Sequence, residues 1–337
     1  LNLYSDTAFY FLTTGAAPGR RVATVAAPGT PTGAPITSFD EHTLSENQFV
    51  SLLKQGRDWF GEAFDSFTPS RDFAFTLDGY IAEVPAYLTV RAVASSTTST
   101  STYTASVNSQ TVGSFTCAQR STLNYTPVAT AGAGTWPLPT GAIGADNRAV
   151  VRLQFASSGG GASGNLDYID INYRRVLRRT GGYTTFRVGS AVAPGAVRQY
   201  DVANCDGTTQ VWDVTNPRNP RRQILAVNGS TGSFVAAADS LREFIVFNPA
   251  EARTDVRSFG AVPNQNLHAL NTGGEQLDLL IVTHPQFKGQ AERLAAHRRA
   301  HDSLQVAVVT TPQVWNEFGS GRQDITAIRD LMRLVYD

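Results

Sequence analysis

Lysine is almost absent from this sequence, and charge of either sign is scarce. The 337 residues include two lysines, Lys54 and Lys288, so arginine supplies nearly all of the positive charge. Charged residues make up 17% of the chain, and the formal net charge is zero. Proteins that bind nucleic acid or an anionic membrane surface attract it with a basic excess. The balance therefore argues against either as the main partner, and we predict no nucleic-acid partner.

Cysteine is equally rare, which limits metal binding and disulfide bonding. Cys117 and Cys205 form no CxxC or other metal-binding pattern. They are consistent with one disulfide bond or with two buried thiols, and the sequence leaves both open. Cys117 falls in a predicted strand and Cys205 in a predicted turn, and neither has a nearby histidine to activate it as a nucleophile. We therefore favour a structural role for both.

Long apolar runs are also missing. None approaches the roughly 20 residues that a membrane-spanning helix needs. The N-terminus lacks the basic and then apolar pattern of a signal peptide. Ser/Thr-rich stretches such as SSTTSTSTYTASVNS (95–109), together with many short strands, nevertheless favour an exported protein whose signal is not in this sequence.

Alternation of apolar and polar residues dominates the chain to about residue 250. A period of two, broken by Gly, Pro, Asn and Ser clusters, predicts antiparallel strands with one solvated face. The number of such runs predicts a β-sandwich or jelly roll over 68–180 and a smaller β domain over 181–262. The apolar faces are Phe73, Phe75 and Leu77; Leu88, Val90 and Ala92; Tyr103, Ala105 and Val107; Val151, Leu153 and Phe155; and Ile169, Ile171 and Tyr173.

One stretch before the sandwich, TLSENQFVSLLKQG (43–56), carries helix signals. Ser45 and Gln48 have the spacing of a capping box, and Gly56 stands where helices often end. Phe49 and two leucines would share one face. We predict a short helix over 46–55, within an N-terminal β and linker segment at 1–67.

The pattern changes near residue 275. LDLLIVT (277–283) and LQVAVVTT (304–311) are continuous apolar runs, typical of buried parallel strands. Helical spacing follows the first over 286–300, and Asp324 precedes a second amphipathic helix. The order predicts β-α-β-α over 275–337, the start of an α/β domain. Because two parallel strands cannot close such a core, we expect the chain to be a fragment of a longer protein.

These residues resemble a known family. DLLIVTHPQF (278–287) and especially VWNEFGSGRQDITAIRD (314–330) are similar to the opening of the gingipain-type cysteine peptidase domain, and more narrowly to PorU-type sortases of the type IX secretion system of Bacteroidetes. Earlier segments resemble regions that precede the peptidase domain in these sortases. They are NLYSDTAFYFLT (2–13), GRDWFGEAF (56–64), NLDYIDINYRR (165–175) and QVWDVTNP (210–217).

The resemblance implies a mainly β scaffold followed by the truncated start of a caspase- or gingipain-like α/β domain. It also implies location on the outer surface of the outer membrane, with secreted cargo proteins and secretion-system components as partners. Such sortases remove C-terminal sorting domains from cargo and join the cargo to a surface lipopolysaccharide. Their catalytic cysteine and histidine lie on later strands of the domain. We therefore assign no catalytic, cofactor-binding or metal-binding residue, and no cofactor, to this chain, and expect it to be inactive by itself.

His284 and a glycine pair are the candidates in the α/β part. His284 follows a strand, where α/β enzymes often place reactive groups. Pro285 next to it favours a structural role at the start of a helix. Gly319 and Gly321 precede a helix N-terminus and could cradle an anion. The spacing is not GxGxxG, so we favour a turn.

Aromatic residues of the β part are candidates for sugar stacking. Trp59 and Phe60, in GRDWFGEAF, and Trp212, in QVWDVTNP, could form glycan-binding platforms. We favour packing roles for them. A β-sandwich module that recognises glycans or proteins, without catalysis, is nevertheless the alternative function.

Two carboxylate pairs could support acid–base chemistry. Asp58 and Glu62 resemble a glycosidase pair, but nothing in the sequence fixes their separation. Asp167 and Asp170 are predicted to lie on opposite faces of a strand and so to form no dyad.

Overall fold

The structure is a computed structural model that describes residues 5, 7–54, 56, 58–123, 125–251, 256–271 and 277–336. The chain divides into two compact units. One comprises Leu1–Gly19 with Val256–Asp337, and the other comprises Arg20–Asp255.

The larger unit is built of strands. Its first ten are β1 Ala23–Val25, β2 Ser38–Ser45, β3 Ala63–Phe64, β4 Ser70–Thr76, β5 Tyr87–Ser95, β6 Ser101–Val107, β7 Gln110–Cys117, β8 Thr130–Pro137, β9 Arg148–Ser157 and β10 Ser163–Val176. Seven more follow: β11 Tyr183–Arg187, β12 Val197–Ala203, β13 Gln210–Asp213, β14 Arg221–Gln223, β15 Ala226–Asn228, β16 Thr231–Ala237 and β17 Glu243–Phe247.

Two antiparallel sheets form the predicted sandwich. One has the order β2-β10-β5-β8, with β3 also paired to β10, and the other has the order β4-β9-β6-β7. The predicted alternation is confirmed, because the inward residues of β5, β6, β9 and β10 form one buried core. Tyr103 lies at its centre, and its hydroxyl donates to the carbonyl of Val93 at 3.0 Å, which satisfies a polar group that burial would otherwise destabilise.

A tryptophan lies between β7 and β8, which are edge strands of different sheets. Trp136 stacks on Phe115 with ring centroids 6.3 Å apart. The indole also covers Gly113 of β7 and Gly134 of β8, where an added Cβ atom would overlap it. The two glycines thus make room for the indole between the two edge strands.

A second β region follows within the same unit. A five-stranded sheet, β1-β14-β13-β17-β11, and a three-stranded sheet, β12-β16-β15, enclose an aromatic core. The strands of the predicted smaller β domain include the runs VRQYDV in β12, TQVWDV in β13, RRQILAV in β14 and β15, and LREFIVF in β17. The aromatic residues that pack together there are Phe186, Tyr200, Phe234 and Phe244.

The segment from β1 to β2 pairs with three parts of this unit. Ala23 of β1 lies opposite Arg221 of β14 in parallel register. Ile36 forms a parallel bridge with Tyr200 of β12. Strand β2 pairs antiparallel with β10 along its full length. This single early segment therefore joins the sandwich to both of the sheets that come after it in the chain.

An ion-pair network lies where β10 leaves the sandwich. The guanidinium of Arg175 donates to Glu41 at 2.7 Å, to Asp78 at 2.6 Å and to Thr180 at 2.5 Å. Arg178 also bonds Asp78. The Arg175 side chain is 11% exposed. Burial raises the pKa of Asp78, but its bond to Arg178 and the nearby charges outweigh burial and hold that pKa below its ordinary value.

The helix predicted over 46–55 is wrong. None of residues 46–54 is helical, and residue 55 lies outside the described part of the chain. Instead, Phe60 exchanges backbone hydrogen bonds with Val50, and Phe49 donates to the same carbonyl of Phe60. Phe49 is 67% exposed and Leu53 is 58% exposed, so the amphipathic face has no core to join. Without such burial, capping signals do not stabilise a short helix.

The smaller unit contains the predicted α/β start. Its elements are β18 Leu279–Thr283, α1 Lys288–Asp302, β19 Val306–Thr310, α2 Thr311–Phe318 and α3 Ile325–Tyr336. Strands β18 and β19 are parallel, and Asp324 caps α3 by accepting from the amide of Thr326 at 2.8 Å. The prediction of a mainly β chain followed by the start of an α/β domain is confirmed. Helix α2 was not predicted.

Candidate functional site

The carboxyl ends of β18 and β19 are where an α/β sheet would place reactive groups. The register brings Thr283 and Thr310 side by side at this edge. Both strands then enter helical turns directly, at Pro285 and at Thr311. The residues at these two strand-to-helix junctions therefore decide what the edge can do.

His284 fills the first position as a cap. Its Nδ1 accepts from the backbone amide of Gln286 at 3.3 Å, and Pro285 opens the turn. The exposed ring lies edge-on to Phe287, with centroids 6.2 Å apart. In the described part of the chain no carboxylate bonds the ring. Because Nδ1 of His284 accepts a backbone hydrogen bond, the ring acts as a helix cap. This geometry fits the structural role that Pro285 favoured in the sequence.

At the second junction, where β19 enters α2, the residues form a capping box. The Thr310 hydroxyl accepts from the backbone of Gln313, whose side chain accepts in turn from the amide of Thr310 at 2.8 Å. This exchange satisfies two amides that begin α2. Neither Nδ1 of His284 nor the hydroxyl of Thr310 is therefore free to act as a base or nucleophile.

The glycine loop 319–324 does not form an anion cradle. The amides of Gly319 and Gly321 both donate to the carbonyl of Trp315, and that of Arg322 donates to Gly319. Gly321 has φ of +82°, the left-handed region that favours glycine. Because these amides bond within the chain, they cannot also cradle a phosphate. The loop is a turn, which is the role favoured from the sequence.

A carboxylate that the sequence did not indicate organises this unit. Glu317 on α2 accepts from the amide of Leu267 at 2.8 Å, from Gln265 at 2.9 Å and from His268 at 2.9 Å. Burial raises its pKa, but these three hydrogen bonds outweigh burial and hold the pKa below the ordinary value of 4.5. The cluster ties the segment before β18 to α2, and its partners are too distant in sequence to be predicted.

This carboxylate gives the smaller unit a defined acid sensitivity. A group whose pKa is lowered by folding stabilises the fold above its unfolded pKa, and that stability is lost as pH falls through the folded pKa. We expect Glu317→Gln to weaken the 265–271 segment by about 1–3 kcal/mol at neutral pH, since three bonds to a charge are lost. Hydrogen exchange of that segment measures the effect.

The control for this prediction is Glu292→Gln, which changes an exposed carboxylate on α1. We expect no change in exchange at 265–271 for this variant. Below the folded pKa the protonated parent chain should approach the Glu317→Gln variant. Equal exchange of variant and parent at neutral pH would refute the role of Glu317.

Both cysteines are buried free thiols. Burial raises the pKa of Cys117 to about 11, and its Sγ lies 3.7 Å from the carbonyl of Ala92. Burial also raises the pKa of Cys205. A nucleophile needs a thiolate at working pH. Neither thiol meets that condition.

The aromatic candidates differ in whether they pack against other side chains. Trp212 packs edge-on against Phe247 at 5.1 Å and donates to Gln210 at 3.1 Å, so its predicted packing role agrees with the structure. Trp59 is 45% exposed, contrary to the packing expected for it, because residues 58–60 lie on the surface beside Val50. Phe60 is half-buried.

The carboxylate candidates are not brought together as pairs. Glu62 accepts from Asn47 at 2.8 Å, whereas Asp58 is exposed. Asp167 bonds Arg91 at 3.2 Å, and burial raises its pKa more than Arg91 lowers it. The nearby charges of Glu46 and Asp58 raise the pKa of Asp167 further.

The predicted placement of Asp167 and Asp170 on opposite faces is wrong. A β-bulge between Leu166 and Tyr168 shifts the register, so both aspartates face outward. Asp170 bonds His42 at 3.1 Å rather than Asp167. They are not a dyad because each has its own basic partner.

Neither a metal centre nor a membrane span emerges from the described residues. No group of three or more His, Cys, Asp or Glu side chains there could hold a metal ion. None of the described helices is long and apolar enough to cross a membrane.

Comparison with known sequences gives a family match for the C-terminal part. Residues 272–337 match the model of peptidase family C25. This stretch holds β18, α1, β19, α2 and α3. No curated protein matches the chain.

Comparison with solved structures identifies a particular relative. The crystal structure of dimeric latent PorU from Porphyromonas gingivalis matches 94% of this chain with a TM-score of 0.78 and 24% sequence identity. The chain spans 30% of that PorU chain. The predicted resemblance to a PorU-type, gingipain-like protein is therefore confirmed, and the match establishes the fold.

Two carbohydrate-related structures also match, with low scores. The carbohydrate-binding module CBM36 in complex with calcium and xylotriose matches 39% of this chain and 98% of its own, with 15% identity and a TM-score of 0.24. A Paenibacillus cycloisomaltooligosaccharide glucanotransferase complexed with cycloisomaltoheptaose matches 67% of this chain and 47% of its own, with 8% identity and a TM-score of 0.20. At these scores neither carries an argument.

Proposed function

We propose that this chain is the N-terminal scaffold and the beginning of the catalytic domain of a cell-surface sortase. The whole protein would cleave C-terminal sorting domains from secreted cargo and attach the cargo to a surface lipopolysaccharide. The observation that carries the proposal is the C25 match over 272–337, at the end of a chain whose fold follows PorU. We also propose export to the outer-membrane surface, with cargo and type IX secretion components as partners.

The domain boundaries belong to the same proposal. Residues 68–180 would form the sandwich domain, 181–262 the small β domain and 275–337 the first part of the peptidase domain, after an N-terminal segment at 1–67. In this arrangement the β domains support and orient the catalytic domain. The catalytic cysteine and histidine would come from strands of the whole protein that come after β19.

The isolated chain is expected to show no thiol-dependent peptidase activity. Its thiols are buried with raised pKa values, and its strand ends are occupied by helix caps. Incubation with a peptide that carries a sorting domain, followed by mass spectrometry, tests this. The whole protein should cleave the same peptide, and iodoacetamide should abolish that cleavage.

Two results would contradict the proposal differently. Iodoacetamide-sensitive cleavage by the isolated chain would place the nucleophile at Cys117 or Cys205. A whole protein that leaves the sorting peptide intact, while the isolated chain is also inactive, would refute the sortase activity itself.

A further inference from the structure

A cleft in the larger unit has no part in the function proposed above. It has a volume of about 450 Å³ and lies between the loop before β2, the end of β10 and the start of β12. Apolar side chains, the hydroxyl residues Thr37, Ser38 and Ser190, and two arginines line it, and among the described residues no carboxylate does so. The lining residues used below are Ile36, Ile81, Val84, Arg174 and Arg198.

Arg198 brings an unneutralised charge to this cleft. Its Nη1 donates to the carbonyl of Thr32 at 2.6 Å and to the hydroxyl of Thr32 at 3.3 Å, and its Nε donates to the carbonyl of Ala191 at 3.4 Å. Among the described residues, Nη2 has no acceptor. Carbonyl oxygens orient a guanidinium but do not cancel its charge. No carboxylate contacts it in the portion of the chain that the structure describes. Arginine remains charged at any ordinary pH, so a half-buried guanidinium of this kind favours an anion.

Arg174 is only loosely paired. Its Nη2 lies 3.3 Å from Oδ1 of Asp40, whose side chain is 65% exposed, while the Arg174 side chain is 21% exposed. Exposed partners of this kind contribute little net stability. Arg174 can therefore exchange Asp40 for a ligand anion at small cost, which gives the cleft a second cation.

The backbone around Arg198 is already formed. Gly33 has φ of +79°, and a Cβ atom there would lie 2.9 Å from Nη1 of Arg198. The loop stays in place because the amide of Thr32 donates to Val197 and that of Ile36 donates to Gln199, both at 2.9 Å. A guanidinium fixed in this way loses little further freedom on binding, which favours affinity.

We propose that this cleft binds an organic carboxylate with an apolar body. The Nη2 group of Arg198 can donate a charge-assisted hydrogen bond to a carboxylate oxygen, and Arg174 supplies a second positive charge. The half-buried aliphatic side chains of Ile36, Ile81 and Val84 offer the apolar contact that a bare inorganic anion would not use. The volume falls within the range of about 300–1,000 Å³ that is common for small-molecule sites.

The test uses N-acetyl-L-leucine as the probe and its neutral amide as the matched ligand. We expect calorimetry with the whole chain at low salt to detect the acid with a millimolar or tighter Kd and to detect no comparable binding of the amide. Inorganic phosphate is expected to bind more weakly than the acid. Arg198→Gln should weaken acid binding by about tenfold or more, since a charged hydrogen bond is lost.

Controls make each outcome decisive. Arg152→Gln, which changes an exposed arginine paired with Asp72 on the sandwich, should bind as the parent does. Arg198→Lys should retain part of the affinity because it keeps the charge. If Arg198→Gln does not fold, Arg174→Gln and the comparison of acid with amide on the parent chain carry the test.

Three results would overturn the proposal. They are no binding of the acid, equal binding of acid and amide, or equal affinity of the parent and the arginine variants. Phosphate that binds as tightly as the acid would refute the requirement for an apolar body. None of these outcomes bears on the sortase proposal, because the cleft lies wholly within Arg20–Asp255.

Discussion

Replacing Gly113 with alanine is expected to destabilise the sandwich by about 3 kcal/mol, the upper part of the range for overpacking a core. The new methyl group would overlap the indole of Trp136, which already spans Gly113 and Gly134. Trp136 is half-buried between the edge strands of opposite sheets, so making room for the methyl group would move the indole away from its stacking on Phe115. Urea unfolding followed by circular dichroism measures the loss as a lower midpoint.

The matched control is Gly160→Ala, where an added Cβ atom meets nothing within 4 Å. Little change is expected there. In a Trp136→Leu background the overlap is absent, so Gly113→Ala should cost far less than in the parent chain. An equal cost in both backgrounds would show that Trp136 is not the cause.

Arg175→Met is expected to cost about 3 kcal/mol, because removing one partner leaves buried charge uncompensated. Glu41 and Asp78 would both lose the guanidinium that bonds them. The same guanidinium lies 5.6 Å from the ring centroid of Phe39, in the core of the second β region, so its loss also removes a cation–π contact. Methionine keeps most of the apolar stem, which isolates the effect of the charge.

The comparison for this prediction is Arg152→Met. Arg152 pairs with Asp72 at 2.7 Å, as short as the bond from Arg175 to Glu41, but on an exposed face. Only a small change is expected. If the two variants lost the same stability under urea, burial of the Arg175 network would not be what makes it strong.

Alternation in the sequence predicted the sandwich because burial enforces it. In β9, every second residue from Ala149 to Phe155 is buried. In β10 the alternation breaks at the bulge next to Asp167, which no local pattern marks. The inward set was therefore predictable, whereas the face of an outward aspartate was not.

The capping-box spacing occurs at two places in the sequence. It led to a wrong helix prediction at the first, and at the second a helix forms that was not predicted. Ser45 with Gln48 has the same spacing as Thr310 with Gln313. Phe49 in the first case is 67% exposed, whereas Val314 in the second is fully buried. Tertiary burial, which the sequence does not state, selects between them.

The Glu317 cluster and the arginine cleft were beyond sequence reasoning for a related cause. Glu317 meets residues about 50 positions away, and Arg198 meets a loop 166 positions away. Single arginines and glutamates in a sequence indicate only a solvated surface. Their partners become known when the chain is folded.

The segment from β1 to β2 has a consequence for how the chain is made. Every strand partner of Ala23, Ile36 and Ser45 lies beyond residue 165. During synthesis, this early segment therefore has no strand partner until well over a hundred further residues have left the ribosome. Contacts of such long sequence separation slow folding. Until those residues are made, the edge of β2 that pairs with β10 stays open, and unpaired strand edges favour aggregation.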